Sequence, residues 1–125
     1  MKKDITDLSD IKIMVDTFYN KVNQDELLSL IFNDEARVNW ETHLPKMYDF
    51  WNSILFGGKN YKGQPFPKHL VLNIGTQHFE RWIALFKESV NSLFEGAKAD
   101  EAKMRGESIA QIFQFKIKSL KPDFK

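Results

Sequence analysis

Apolar residues recur at steps of three and four along nearly the whole of this chain, and the pattern breaks once, between Gly57 and Gly75. Ile11, Met14, Val15, Phe18, Tyr19 and Val22 make one such stripe, the mark of an amphipathic helix, with Ser9 as a plausible N-cap. Asp25 is placed to cap a short helix carrying Leu27, Leu28, Ile31 and Phe32, and residues 33–39 read as a polar turn. A long helix is predicted from Trp40 to Leu55, with Trp40, His43, Met47, Phe50, Trp51 and Ile54 inward and Gly57-Gly58 as its stop. Pro45 lacks an N–H, so it must lie in the first turn or bend this helix. Two further helices follow. One runs from a Thr76 cap to about Glu95, with Phe79, Trp82, Ile83, Phe86, Val90 and Phe94 inward and Gly96 as stop. The other runs from about Ala99 to Leu120, with Met104, Ile109, Ile112, Phe113, Ile117 and Leu120 inward. No segment reads as a strand. The expected class is all-α, in a single domain over residues 1–125.

The interruption is itself informative. Gly57, Gly58, Gly63, Pro65, Pro67 and Gly75 leave room for at most a turn or two of helix around residues 67–72. A long irregular segment inside a small domain usually carries function.

Composition narrows the chemistry. With Cys at 0 there is no disulfide, thiolate metal site, Cys nucleophile or covalent haem attachment through C-x-x-C-H. A formal charge of +1 gives no electrostatic footprint for nucleic acid. The N-terminus has charge without an apolar run behind it, so no signal peptide is expected. No 18-residue apolar stretch occurs, so no membrane span is expected and the default location is the cytoplasm. No Gly-rich phosphate loop, nucleophile elbow or H-E-x-x-H pattern appears, and Glu41 and Asp49 do not make a glycosidase pair. Aromatics at 14%, with 11 Phe, call for a dense core or a flat apolar guest.

Three histidines remain as centres for chemistry: His43, His69 and His78. His69 follows Pro67-Lys68 and precedes Leu70-Val71-Leu72. It is open between an axial metal ligand and an exposed loop side chain, and spacing alone favours the second. His43 lies on an inward stripe near a helix start, where the macrodipole disfavours its protonated form; surface and functional roles stand even. His78 reads as a solvent-edge residue, and Trp40 and Trp51 read as core. Tyr19 and Trp82 each bring a polar tip to an inward stripe, where a nearby carbonyl is the simplest partner.

The chain resembles the truncated haemoglobins, most closely their third group. The resemblance rests on Phe18-Tyr19 with Val22, Ile31-Phe32-Asn33, Trp40-x-x-His43-Leu44-x-x-Met47-x-x-Phe50-Trp51, and Tyr61-x-Gly63-x-Pro65 leading to His69. It continues through His78-Phe79-x-Arg81-Trp82 with Leu85-Phe86, and Ile109-Ala110-x-x-Phe113. These strings span roughly residues 9–115. Gly57-Gly58, a pairing associated with the other truncated groups, reads here as a helix stop.

The resemblance implies a shortened globin, with helices stacked two over two around a non-covalent haem b. It implies His69 as the proximal iron ligand, and Tyr19, His43 and Trp82 as the distal groups that stabilise a ligand. Phe32, Met47 and Phe50 match pocket-lining positions. Phe79, Ile83 and Phe113, on inward stripes, join them as haem contacts, and Tyr61 and Lys68 are candidates for the propionates. For Lys68 plain exposure is nearly as good a reading. The implied function is binding of O2, NO or CO at a five-coordinate iron. Several donors on a polarised ligand slow its escape, which suits O2/NO redox chemistry, as a nitric oxide dioxygenase or a peroxidase-like enzyme with an external reductase. The alternatives are O2 storage or sensing without turnover, and a haem-free helical interaction module. The chain is expected to be a monomer or weak homodimer.

Overall fold

The structure, a computed structural model, describes residues 2–35, 39–57 and 75–120. Among these residues it is helical, with no strand: α1 (Leu8–Gln24), α2 (Glu26–Ser29), a π-helical turn (Leu30–Glu35), α3 (Trp40–Phe56), α4 (Thr76–Leu93) and α5 (Ala97–Leu120). The expected irregular segment between Gly58 and Leu72 lies outside the described residues.

Short polar side chains set the helix starts. Asp7, rather than Ser9, caps α1, its carboxylate accepting from the Asp10 N–H at 3.1 Å. Asp25 caps α2 as expected, accepting from the Leu28 N–H at 2.9 Å. The polar stretch from Asn33 does not turn at once; the helix continues to Glu35 with a widened π repeat. In this turn Ile31 is buried and Leu30 exposed. Asn39 caps α3, accepting from the Glu41 N–H at 3.1 Å. Pro45 lies beyond the first turn of α3, on its exposed side, where its missing N–H withdraws one bond from the Glu41 carbonyl. Gly57 ends α3 with φ 73°, a conformation that favours glycine.

The start of α4 is built differently from the expected Thr76 cap. Gly75 is the cap residue, and its N–H donates to Nδ1 of His78 at 2.9 Å. His78 is therefore a half-buried structural partner of the helix start rather than a solvent-edge side chain. The helix ends at Leu93, and Phe94 turns back into the core.

The largest departure is in α5. Met104 and Ile112, expected inward, are 59% and 51% exposed. The buried face is Ala99, Ala102, Gly106 and Ala110, with Ile109 and Phe113 half-buried beside it. Met104 lies two residues from both Ala102 and Gly106, about 200° round the helix, so it cannot share their face. The expected inward side chains of Ile117 and Leu120 lie outside the described residues.

α1 packs on α3 and on α4, α4 packs on α5, and α3 meets α5, so α1 with α3 lies against α4 with α5. Aromatic rings fill the crossing. Phe86 stacks on Trp51 at 4.8 Å and on Trp82 at 5.7 Å, and Phe18 meets Phe86 edge-on at 5.2 Å. Lys98 ties the two pairs together at the far end of α3: its Nζ donates to the Leu55 carbonyl at 2.6 Å and stands 5.2 Å over the Phe56 ring. That bond satisfies one of the carbonyls a helix end leaves without an intrahelical donor.

Candidate functional site

Tyr19 is carried inward on the same stripe as Val15 and Val22, and is 6% exposed. Burial pushes its hydroxyl far above the ordinary tyrosine value, so it stays protonated, a donor, at any neutral or mildly alkaline pH. His43 is the fourth residue of α3, with its backbone N–H donating to the Asn39 carbonyl at 2.8 Å and its ring Nε2 buried. The rings of Tyr19 and His43 meet edge-on with centroids 5.3 Å apart. Two residues 24 positions apart in the sequence thus come together where α1 crosses α3.

Trp82, half-buried on α4, joins the same cluster one ring further on. It meets Phe18 edge-on at 5.3 Å, and Phe18 lies against Tyr19 at 4.8 Å. Met47 and Phe50 are half-buried on α3, one and two turns beyond His43; Phe79 is buried, and Ile83 and Phe113 are half-buried. Tyr61, Lys68 and His69 lie outside the described residues, as does the side chain of Phe32.

Trp40, expected as plain core, has another role. It is half-buried at the first position of α3, and its ring lies 5.2 Å from that of Tyr19 and 5.5 Å from that of His43. Its indole N–H donates to Oδ1 of Asn33 at 3.0 Å, and Nδ2 of Asn33 donates to Oδ1 of Asn23 at 2.8 Å. A cleft of about 390 Å³ opens beside it, lined by Asp16, Tyr19, Asn20, Asn23, Trp40, Leu44 and Tyr48. Among these lining residues the Tyr48 hydroxyl donates to the Asp16 carboxylate. Burial first, and the Asp16 carboxylate second, push the Tyr48 hydroxyl up to about 12. A signal for this cleft was present in the sequence: Asp16, Asn20 and Asn23 recur at steps of four and three, a polar stripe flanking the apolar one that carries Tyr19.

The site therefore combines the buried, protonated Tyr19 hydroxyl, the half-buried His43 and the half-buried Trp82 with buried and half-buried apolar side chains on α3, α4 and α5. That donor set and that apolar lining fit haem: a flat apolar guest, and a small polar ligand above it. Among the described residues no group of three His, Asp or Glu side chains is placed to hold a metal ion, and no helix is long and apolar enough to cross a membrane.

The family model of the bacterial-like globins matches residues 5–115. The chain is 35% identical over 118 residues to the group 3 truncated hemoglobin ctb of Campylobacter jejuni, covering 91% of this chain and 93% of that protein. The crystal structure of group III truncated hemoglobin from Campylobacter jejuni superposes with a TM-score of 0.83 at 34% identity, over 94% of this chain and 95% of that one. The fold, the aromatic site and these matches agree: the chain belongs to the bacterial-like globins and, within them, to the group III truncated hemoglobins, a family that binds diatomic ligands on haem.

Proposed function

We propose that this chain holds haem b non-covalently, with His69 as the axial ligand, and uses it for O2/NO redox chemistry rather than O2 delivery. The observation that carries the reading is the pairing of Tyr19 with His43 inside an aromatic shell. Haem, when bound, would supply a redox-active iron that takes a diatomic ligand. The chain supplies the rest. Tyr19 donates a hydrogen bond to a ligand that carries partial negative charge, and its raised pKa keeps that proton in place. His43 and the Trp82 indole N–H are the further donors. Met47, Phe50, Phe79, Ile83 and Phe113, with Phe32, would supply apolar contact to the haem, and Tyr61 and Lys68 are the candidate partners of its propionates. Hydrogen bonds to a charged acceptor contribute about 1.5–3 kcal/mol each, so every donor slows ligand escape roughly tenfold or more. Slow escape suits turnover better than delivery. In nitric oxide dioxygenation, NO and O2 combine to nitrate, and an external reductase restores one electron per cycle.

The test is spectroscopic and then kinetic. Haemin added to the purified protein should give a Soret band with one equivalent bound, and His69→Ala should abolish or grossly distort it. An unchanged band would remove His69 as the ligand. The haem-loaded, oxygenated protein with a supplied reductant should convert NO to nitrate. A stable oxygenated form that consumes NO no faster than free haem would leave storage or sensing as the function.

A further inference from the structure

We propose that the cleft between α1 and α3 is a port through which a diatomic ligand reaches Tyr19 and His43, and that Trp40, latched by Asn33 to Asn23, is its door. The inference rests on the reading of Tyr19 and His43 as the ligand-binding side of the haem site.

The cleft, at about 390 Å³, has room for a diatomic molecule. Its lining includes Tyr19, which also belongs to the aromatic site. The ring of Tyr19 is in contact with that of His43, so anything that passes Tyr19 arrives at the pair. Trp40 is the side chain common to both sides: it lines the cleft, and it lies against Tyr19 and His43. A passage between cleft and site therefore depends on where the Trp40 indole stands.

The latch fixes that position from three elements. Asn23 belongs to α1, Asn33 to the π turn and Trp40 to α3. The Asn33 amide is read unambiguously, because the indole N–H is a donor only and must meet the amide oxygen, which turns the NH2 group toward Asn23. Both bonds are exposed, so water competes for their partners and each is readily exchanged. Swinging the half-buried ring out exchanges the latch for water and gives up its contacts with Tyr19 and His43, without unfolding α3. The π turn brings Asn33 to this place, giving the widened repeat a function that packing alone does not require.

A door has a kinetic signature unlike that of a donor. Opening it speeds arrival and departure alike and leaves the equilibrium constant untouched. Removing a donor speeds departure alone. Flash photolysis of CO from the haem-loaded protein reads association, and displacement of bound CO by NO reads dissociation. Asn33→Ala, which breaks the latch, should raise CO association and dissociation together by roughly three- to tenfold, the worth of one neutral hydrogen bond. Trp40→Phe keeps the ring and removes the indole N–H, and should do the same. Asn20→Trp, which fills the cleft from its exposed rim, should slow both rates. In the protein without added haem, exchange of the Trp40 indole proton, followed by NMR, should accelerate in Asn33→Ala. Unaltered CO rates in both the latch and the filling variants overturn the port while leaving the haem reading intact. A change confined to dissociation would make Trp40 part of the ligand-stabilising set and overturn it as well. Failure of the parent protein to take up haem overturns the functional reading, and the port with it.

Discussion

Gly106 of α5 stands so close to Phe86 of α4 that a Cβ added to it would lie 2.9 Å from the ring. Phe86 has little freedom to retreat, being fully buried and stacked between Trp51 and Trp82. By helix propensity alone, alanine at this position would gain up to about 1 kcal/mol. The contact reverses that sign. Overpacking a dense core costs about 1–3 kcal/mol, so Gly106→Ala should lower the urea midpoint of unfolding. Because Trp82 rests on Phe86, its fluorescence in the folded state should shift too. An unaltered or raised midpoint would show that the ring yields freely.

The same seam explains what sequence could and could not disclose. Bulky apolar residues at three- and four-residue steps located α1, α3 and α4, because large side chains dominate those faces. The α5 seam is made of Ala99, Ala102, Gly106 and Ala110, small residues whose value is the close approach they permit, and apolar weight pointed instead to Met104 and Ile112. The family-marking residues Tyr19 and His43 were legible as inward positions; their meeting was not, because it depends on how α1 crosses α3. The Asn23–Asn33–Trp40 chain and the Tyr48–Asp16 pair were not read, since each joins polar residues on different elements, and the stripe that carries Asp16 and Asn23 does not say which residues of the π turn and α3 they meet.

Asp4 gives a pH dependence of definite sign. Burial alone would raise its carboxyl, but the N–H groups of Lys98, Ala99 and Ile5, with the Lys98 charge, hold it below the usual carboxylate value. It accepts from Lys98 at 2.9 Å and Ala99 at 2.8 Å, capping α5 from a distant part of the chain. A depressed pKa stabilises the fold above the unfolded-state value near 4, and that contribution is lost as pH falls through the lower folded-state value. Asp4→Ala should cost about 0.5–2 kcal/mol at pH 7, the usual worth of a cap. Asp4→Asn should flatten the part of the stability profile that lies below the unfolded-state value near 4. Parallel acid profiles for the parent and Asp4→Asn would show that the carboxylate is not the titrating group.

Tyr48 and Asp16 hold α1 to α3 along one wall of the cleft. With its pKa raised to about 12, the phenol is neutral through the whole working range. The raised value makes its contribution complete below the unfolded-state pKa near 10 and lost as pH climbs through about 12. Tyr48→Phe removes a hydrogen bond to a carboxylate and should lower stability by about 1.5–3 kcal/mol at pH 7. An ultraviolet alkaline titration should lose its latest-ionising phenol apart from that of Tyr19. If the variant titrates as the parent does, the bond to Asp16 does not hold the proton.

The contact between Tyr19 and His43 predicts that the two act as a unit on a bound ligand. Tyr19→Phe should raise O2 dissociation from the haem-loaded protein about tenfold, the loss of one hydrogen bond to a partly charged acceptor. His43→Leu should raise it less, because Tyr19 remains. Side chains in contact rarely contribute independently, and coupling between them runs to about 0.5–3 kcal/mol. Removing His43 frees the Tyr19 ring from an edge-on neighbour that fixes its aim, so the double variant should fall short of the product of the single effects. Stopped-flow displacement of O2 by CO measures all four rates in one buffer. Effects that multiply cleanly would mean that the two rings touch without sharing the ligand, and that Trp82 or another donor holds it with Tyr19.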